Sequence, residues 1–289
     1  MNLEKTKKEL LEKFKTHGFE NFQQQNKHKF NLFMNVVFYE KTLKLTSEQL
    51  DCFLKNSNLK QQTEVGFNIL LLILENNKEK NLYLQEEQWD YLLKNSDLKQ
   101  KTWSGENVLM HAFIFNQDQN INFSRNHWDY LLENSDLKQV NHKGLNSLMV
   151  YIHNYKDANL SEKQWNYLLK NSNLMQETKE GFTAFLSAFL ENDENFFSKE
   201  KLQQLWNPLS QQQKNKNFQM IIDEYKNLSK EDILFLLYDL QFEPEEKTVE
   251  YLQKNEHQEI LQMIEKRNIL WNLNKNLTSE KIDKILLKI

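Results

Sequence analysis

Cysteine is almost missing from this chain. Cys52 stands alone among 289 residues, so no internal disulfide can form and no cysteine-rich zinc cage can be built. That usage fits a reducing compartment. Proline occurs twice and glycine five times, which leaves long stretches free of helix breakers. Arginine is confined to Arg125 and Arg267, and no basic block interrupts a net charge of −4. Grooves that track phosphates need a dense positive stripe, so no nucleic-acid partner is expected. No apolar run approaches the roughly 18 residues needed to span a bilayer. Met1 to Lys15 mixes charges with Leu3, Leu10, Leu11 and Phe14 and lacks a signal-peptide core. The expectation is a soluble, cytoplasmic protein with no membrane partner.

What is present is a repeat. The run Gln88-Trp89-Asp90-Tyr91-Leu92-Leu93-Lys94-Asn95-Ser96-Asp97-Leu98-Lys99-Gln100 returns at His127 to Gln139 and Gln164 to Gln176, and more weakly at Gln49 to Gln61. Successive starts lie 39, 39 and 37 residues apart. Self-similarity at such a period marks a stacked array, in which each short unit buries its apolar face against its neighbours.

Two helices per unit follow from local signals. Gly66, Gly105, Gly144 and Gly181 share one repeat position, and two residues later stand Asn68, Asn107, Asn146 and Thr183, good N-caps before apolar stretches. A Gly-less copy starts at Asn31. These open helix A. Helix B opens at Thr46, Gln85, Ser124, Ser161 and Ser198. Thr46 with Gln49, and Ser161 with Gln164, form capping boxes; an apolar residue before each cap matches Leu50, Trp89, Trp128, Trp165 and Leu202 as a hydrophobic staple. From B cap to the next A cap is always 22 residues, whereas A cap to B cap is 15 or 17. The first connection is fixed by packing and the second is a solvent-facing loop.

The helix-A stretch Gly105-Glu106-Asn107-Val108-Leu109-Met110-His111-Ala112 resembles the ankyrin-repeat signature Gly-x-Thr-Pro-Leu-His-x-Ala, and Thr183 keeps the threonine. Leu131 to Leu137 resembles that family's Leu-Leu-x-x-Gly-Ala-Asp-Val. The resemblance covers residues 28–200. It departs in period, in Leu71, Met110, Met149 and Leu186 at the family's histidine, and in Ile69, Val108, Ser147 and Ala184 at its proline. The glycine that ends helix B is also absent, so the β-hairpin between units is open to being a shortened loop. The resemblance implies a concave recognition surface for a protein partner. Divergent arrays resembling this one are also familiar in intracellular bacteria, and from such a source the resemblance implies delivery into a host cell.

Candidate chemistry is sparse. The Trp89, Trp128 and Trp165 column reads as core, and Tyr91, Tyr130 and Tyr167 share a column with Cys52 between units. His111 and His153 occupy consecutive A helices without a metal-ligand spacing. Asp90, Asp129 and Glu86-Glu87 repeat with the scaffold and read as a solvated face. With no Gly-rich phosphate loop or nucleophile elbow, the chain is not expected to be an enzyme, and no metal or cofactor is expected. The informative positions are those that fail to repeat. Four residues after each A cap stand Asn35, Leu72, His111, Val150 and Ser187; seven after it stand Phe38, Glu75, Ile114, His153 and Leu190. These offsets share a helix face. The loop before each glycine varies too, with Trp103 and Lys143 as candidates.

The expectation is therefore an all-α solenoid of about five ankyrin-like helix pairs. Residues 1–27 form an N-terminal helical cap, 28–200 the array, and 201–289 a helical extension in which Gln211 to Asn217 is a polar loop and Pro244 sits in a first helical turn. The function expected is non-catalytic binding of a partner protein through the twelve residues named, by a monomeric scaffold. Two alternatives are self-assembly, using the ends of the array or Trp206 and Trp271, and an activity in the C-terminal region.

Overall fold

The computed structural model describes residues 25–39, 45–80, 82–116, 121, 123–155, 160–191, 196–224, 229–255 and 257–273. Residues 1–24 of the expected N-terminal cap fall outside them, as do about half of the A-to-B loop residues. Among the described residues there are fourteen α-helices and one π-helical turn, and no strand. The chain forms two compact units, Met1–Lys179 and Glu180–Ile289.

The first unit holds four helix pairs. The A helices are α1 (Leu32–Tyr39), α3 (Ile69–Lys80), α5 (Val108–Phe115) and α7 (Ser147–His153); the B helices are α2 (Ser47–Asn56), α4 (Glu86–Asn95), α6 (Arg125–Asn134) and α8 (Glu162–Asn171). A helices pack in series, α1 on α3 on α5 on α7, and B helices likewise, with α5 on α6 and α7 on α8 joining the layers. Two layers that propagate by repetition are consistent with a helical solenoid. Helix A is apolar all round because like helices flank it: Val108 to Phe113 are all buried. Helix B is amphipathic, burying Trp89, Leu92 and Leu93 on α4 and exposing its charges.

Each boundary has a cause. Asn31, Asn68, Asn107 and Asn146 accept the backbone N–H three residues on at 3.0 Å. The same amides then reach further. Nδ2 of Asn68 donates to the carbonyl of Asp97 and that of Asn107 to Asp136, each 29 residues ahead. On the B side, Thr46/Gln49 and Ser161/Gln164 close their capping boxes, as does Ser124/His127. Helix B ends at Ser57, Ser96, Ser135 and Ser172, whose extended backbones still donate to the carbonyl four residues back. The constant 22-residue B-to-A connection follows, because its residues bond to partners at fixed repeat positions.

The tryptophan column is core. Phe113 stacks on Trp128 at 5.4 Å, and Trp128 meets the staple residue Phe123 edge-on at 5.2 Å. Asp90 and Asp129 are more than a solvated face. Gln88 Nε2 donates to Asp51 at 2.7 Å and Gln164 Nε2 to Asp129 at 2.8 Å, while His127 Nε2 lies 3.3 Å from Asp90. The third residue of α4, α6 and α8 thus reaches an aspartate of the preceding B helix.

The second unit opens with α9 (Ala184–Leu190) and α10 (Lys199–Trp206), the fifth pair, so the boundary expected at residue 200 falls inside this unit. Gln211 to Asn217 is helix, not loop: it forms the first half of α11 (Gln211–Glu224). Ser210 and Gln213 cap it reciprocally, and buried Asn217 donates to Thr183 Oγ1 at 2.8 Å. There follow α12 (Lys230–Leu234), the π-turn Phe235–Asp239, α13 (Glu246–Lys254) and α14 (Gln258–Leu273). Pro244 stands before the α13 cap, Glu245, and outside the first turn. Trp206 is fully buried between Phe185 and Phe242, which removes it as a self-association surface.

Candidate recognition face

The segment between repeats holds two turns: Gln61, Gln100 and Gln139 donate their N–H back to Asn58, Asp97 and Asp136, and a glycine-bearing β-turn follows. Gly66, Gly105 and Gly144 donate back to Thr63, Thr102 and Asn141, and each turn is closed by a bond from its first residue to the carbonyl four residues on. The glycines sit at φ +83°, +83° and +85°, where a side chain is strained. A Cβ on Gly105 would also lie 3.1 Å from Asn141 Cα of the next turn. One isolated bridge, Val140 to Asn146, is all that resembles a hairpin among the described residues.

Successive turns are joined. Trp103 N–H donates to Val65 O at 3.1 Å, His142 N–H to Ser104 O at 2.8 Å, and Lys179 N–H to Lys143 O at 3.2 Å. Side chains reinforce these rungs: Gln100 and Gln139 donate Nε2 to the carbonyls of Gly66 and Gly105. The backbone edge is therefore tied, while side chains at its tips face water. Trp103 is 70% exposed, the most exposed large hydrophobic residue described. Val65 is exposed beside it in the rung, and Lys143 is exposed on the next turn.

The structure separates the two variable columns of helix A. At offset seven, Phe38 and His153 are exposed, and Glu75, Ile114 and Leu190 are half-buried. At offset four, Leu72, His111, Val150 and Ser187 are buried, and Asn35 alone is half-buried. An A helix has like helices on both flanks, so positions turned toward a neighbour are covered even where they vary. Ser187 and Leu190 lie in the second unit, apart from the other ten.

One corner of the first unit is polar. Glu75 on α3 and Glu106 ahead of α5 act on each other electrostatically. Burial, and then Glu106, hold the Glu75 carboxyl above the usual range. Ser104 Oγ donates to Glu106 at 2.9 Å. His111 Nε2 lies 3.6 Å from Glu106, and its ring stacks on Phe115 at 5.4 Å. Burial pushes the His111 imidazole down to about 4, against the opposing pull of Glu106. Of the two histidines on consecutive A helices, His111 is buried and His153 is exposed.

Among the described residues no group of three His, Cys, Asp or Glu side chains could hold a metal ion. Cys52 is a half-buried free thiol. On the B layer an open cleft of about 290 Å³ runs between the ends of α6 and α8, lined among others by Lys99, Lys138, Asp136 and Tyr167. No described helix is long and apolar enough to cross a membrane. No protein-family profile matches this sequence, and no curated protein matches it.

Proposed function

We propose that this chain is a non-catalytic binding module of ankyrin-like design, which holds a protein partner against the tied turns and the exposed offset-seven residues of helix A. Trp103 carries the reading. A tryptophan left largely in water, on a turn whose backbone is bonded to the turn before it, is a preordered anchor of the kind that dominates interface energies. Because the rungs already hold the turns, little ordering entropy is lost on binding. Phe38, Glu75, Ile114, Lys143 and His153 supply the surrounding variation. The two-layer order of helices supports the ankyrin-like comparison; the period of 37 to 39 residues and the reduced turn are where this chain departs from it.

The test is site-specific photocrosslinking. A photoreactive residue at position 103, and separately at 153, is compared with one at exposed Asn166 on helix B. Discrete protein adducts at 103 and 153 and none at 166 are expected. Adducts at 166 alone, or none at any site in source and host extracts, would sink the reading.

A further inference from the structure

We propose that the Glu75–Glu106–His111 corner of the first unit receives a basic side chain, an arginine or lysine presented by the protein partner. This rests on the binding-module reading and names the chemistry of what it binds.

The corner is rich in acceptors. Glu75 and Glu106 come from consecutive repeats, and among the described residues neither pairs with a lysine or arginine. Glu106 is held by neutral donors, Ser104 Oγ at 2.9 Å and Asn141 Nδ2 at 3.5 Å. Burial holds the Glu75 carboxyl above its ordinary range, and repulsion from the Glu106 carboxylate adds to it.

His111 is the independent sign. It is only 4% exposed, and neither ring nitrogen has a hydrogen-bond partner. Leaving buried polar atoms unmatched is costly, and such atoms call for an explanation. Its Nε2 is turned to Glu106 at 3.6 Å, too long for a hydrogen bond. Burial keeps the ring neutral at physiological pH. With its proton on Nδ1, Nε2 adds a third acceptor to the two carboxylates. A guanidinium brings five donors and a full charge in one flat group, and an ammonium brings three. Phe67 and Phe115 flank the imidazole at 5.7 and 5.4 Å, and exposed Trp103 belongs to the turn that Glu106 closes. Aromatic faces of that kind stack on guanidinium. A bare metal ion is the poorer fit, because the described residues supply no three-ligand group.

The full chain is titrated at neutral pH and low salt with two capped pentapeptides, Ala-Ala-Arg-Ala-Ala and the same peptide carrying citrulline, the uncharged isostere of arginine. His111 and Trp103 ring signals are followed by NMR. The arginine peptide should shift both saturably and bind roughly tenfold tighter than the citrulline peptide, with the gap shrinking as salt rises. In Glu75→Gln/Glu106→Gln, which retains the acceptor for Ser104, the gap should close. If that variant loses its circular dichroism, Glu75→Gln alone is used, since Glu75 makes no structural hydrogen bond among the described residues. Equal affinity of the two peptides, no saturable shift at His111, or an undiminished gap in the folded variant would overturn the proposal. Photocrosslinks at position 103 alongside equal peptide binding would remove the basic ligand and leave the module reading standing. Arginine-selective binding without any crosslink would do the reverse.

Discussion

A single asparagine at the head of an A helix serves two places at once. Asn107 Oδ1 caps its own helix at Met110 N–H, and Nδ2 bonds the carbonyl of Asp136 in the following connector. Alanine there removes both and should cost about 2 kcal/mol. Serine keeps the cap but cannot span the second gap, so Asn107→Ser should lose about half as much; chemical denaturation of the pair reads the difference. His111 makes a separate prediction. Its folded-state pKa lies near 4, below an unfolded value near 6.5, so the unfolded chain binds the proton more readily. The stability of the neutral, buried ring is complete above about pH 6.5 and is lost as pH falls toward 4. On the order of 3 kcal/mol is at stake. The denaturation midpoint of the wild type should therefore fall with acidification more steeply than that of His111→Phe, and parallel curves would refute the assignment.

At the scale of the element, turns and clasps matter more than helix propensity. Gly105→Ala would put a Cβ into a left-handed backbone and against Asn141 Cα at 3.1 Å. A loss of at least about 1 kcal/mol is expected from the backbone alone. Trp165, almost wholly buried on α8, should cost about 3–5 kcal/mol when cut to alanine, measured by urea unfolding. Local elements were the part of the fold most legible in the sequence. A cap and its target lie three residues apart, so Thr46 with Gln49 or Asn107 with Met110 is visible in the letters alone. The α11 helix was not. Its first turns are a polar run that reads as loop, stabilised by the Ser210–Gln213 pair and by an Asn217–Thr183 bond across 34 residues. The Asp–Gln clasps between B helices were hidden for the same reason: Gln164 reaches a partner 35 residues away.

Across the molecule, the repeat announced the layered architecture, but the candidate face was only half legible. Variation at Leu72, His111, Val150 and Ser187 reads as surface, yet these side chains are covered by neighbouring helices. Sequence spacing gives the face of one helix and cannot say what stands beside it. Offset-seven residues and Trp103 were placed by the same reasoning and do reach solvent in part or in full. The array also makes a prediction about dynamics. Helices with neighbours on both sides should open least often, so hydrogen exchange should be slowest in α3 and α5 and faster in α1. Uniform protection across the first unit would contradict a nearest-neighbour stack.

The clasp between B helices has a consequence for the gene. Each joint uses the same two repeat positions, with Asp51 meeting Gln88 and Asp129 meeting Gln164. A unit that carries aspartate at this position can therefore be followed by any unit that carries the matching glutamine. Recombination between the near-identical stretches encoding residues 88–100 and 127–139 would add or remove one whole unit, and every product would inherit complete joints. Length can thus change by unequal crossing-over without inventing new contacts. The lone histidine at position 127, still within 3.3 Å of Asp90, records that the lock itself tolerates a different key.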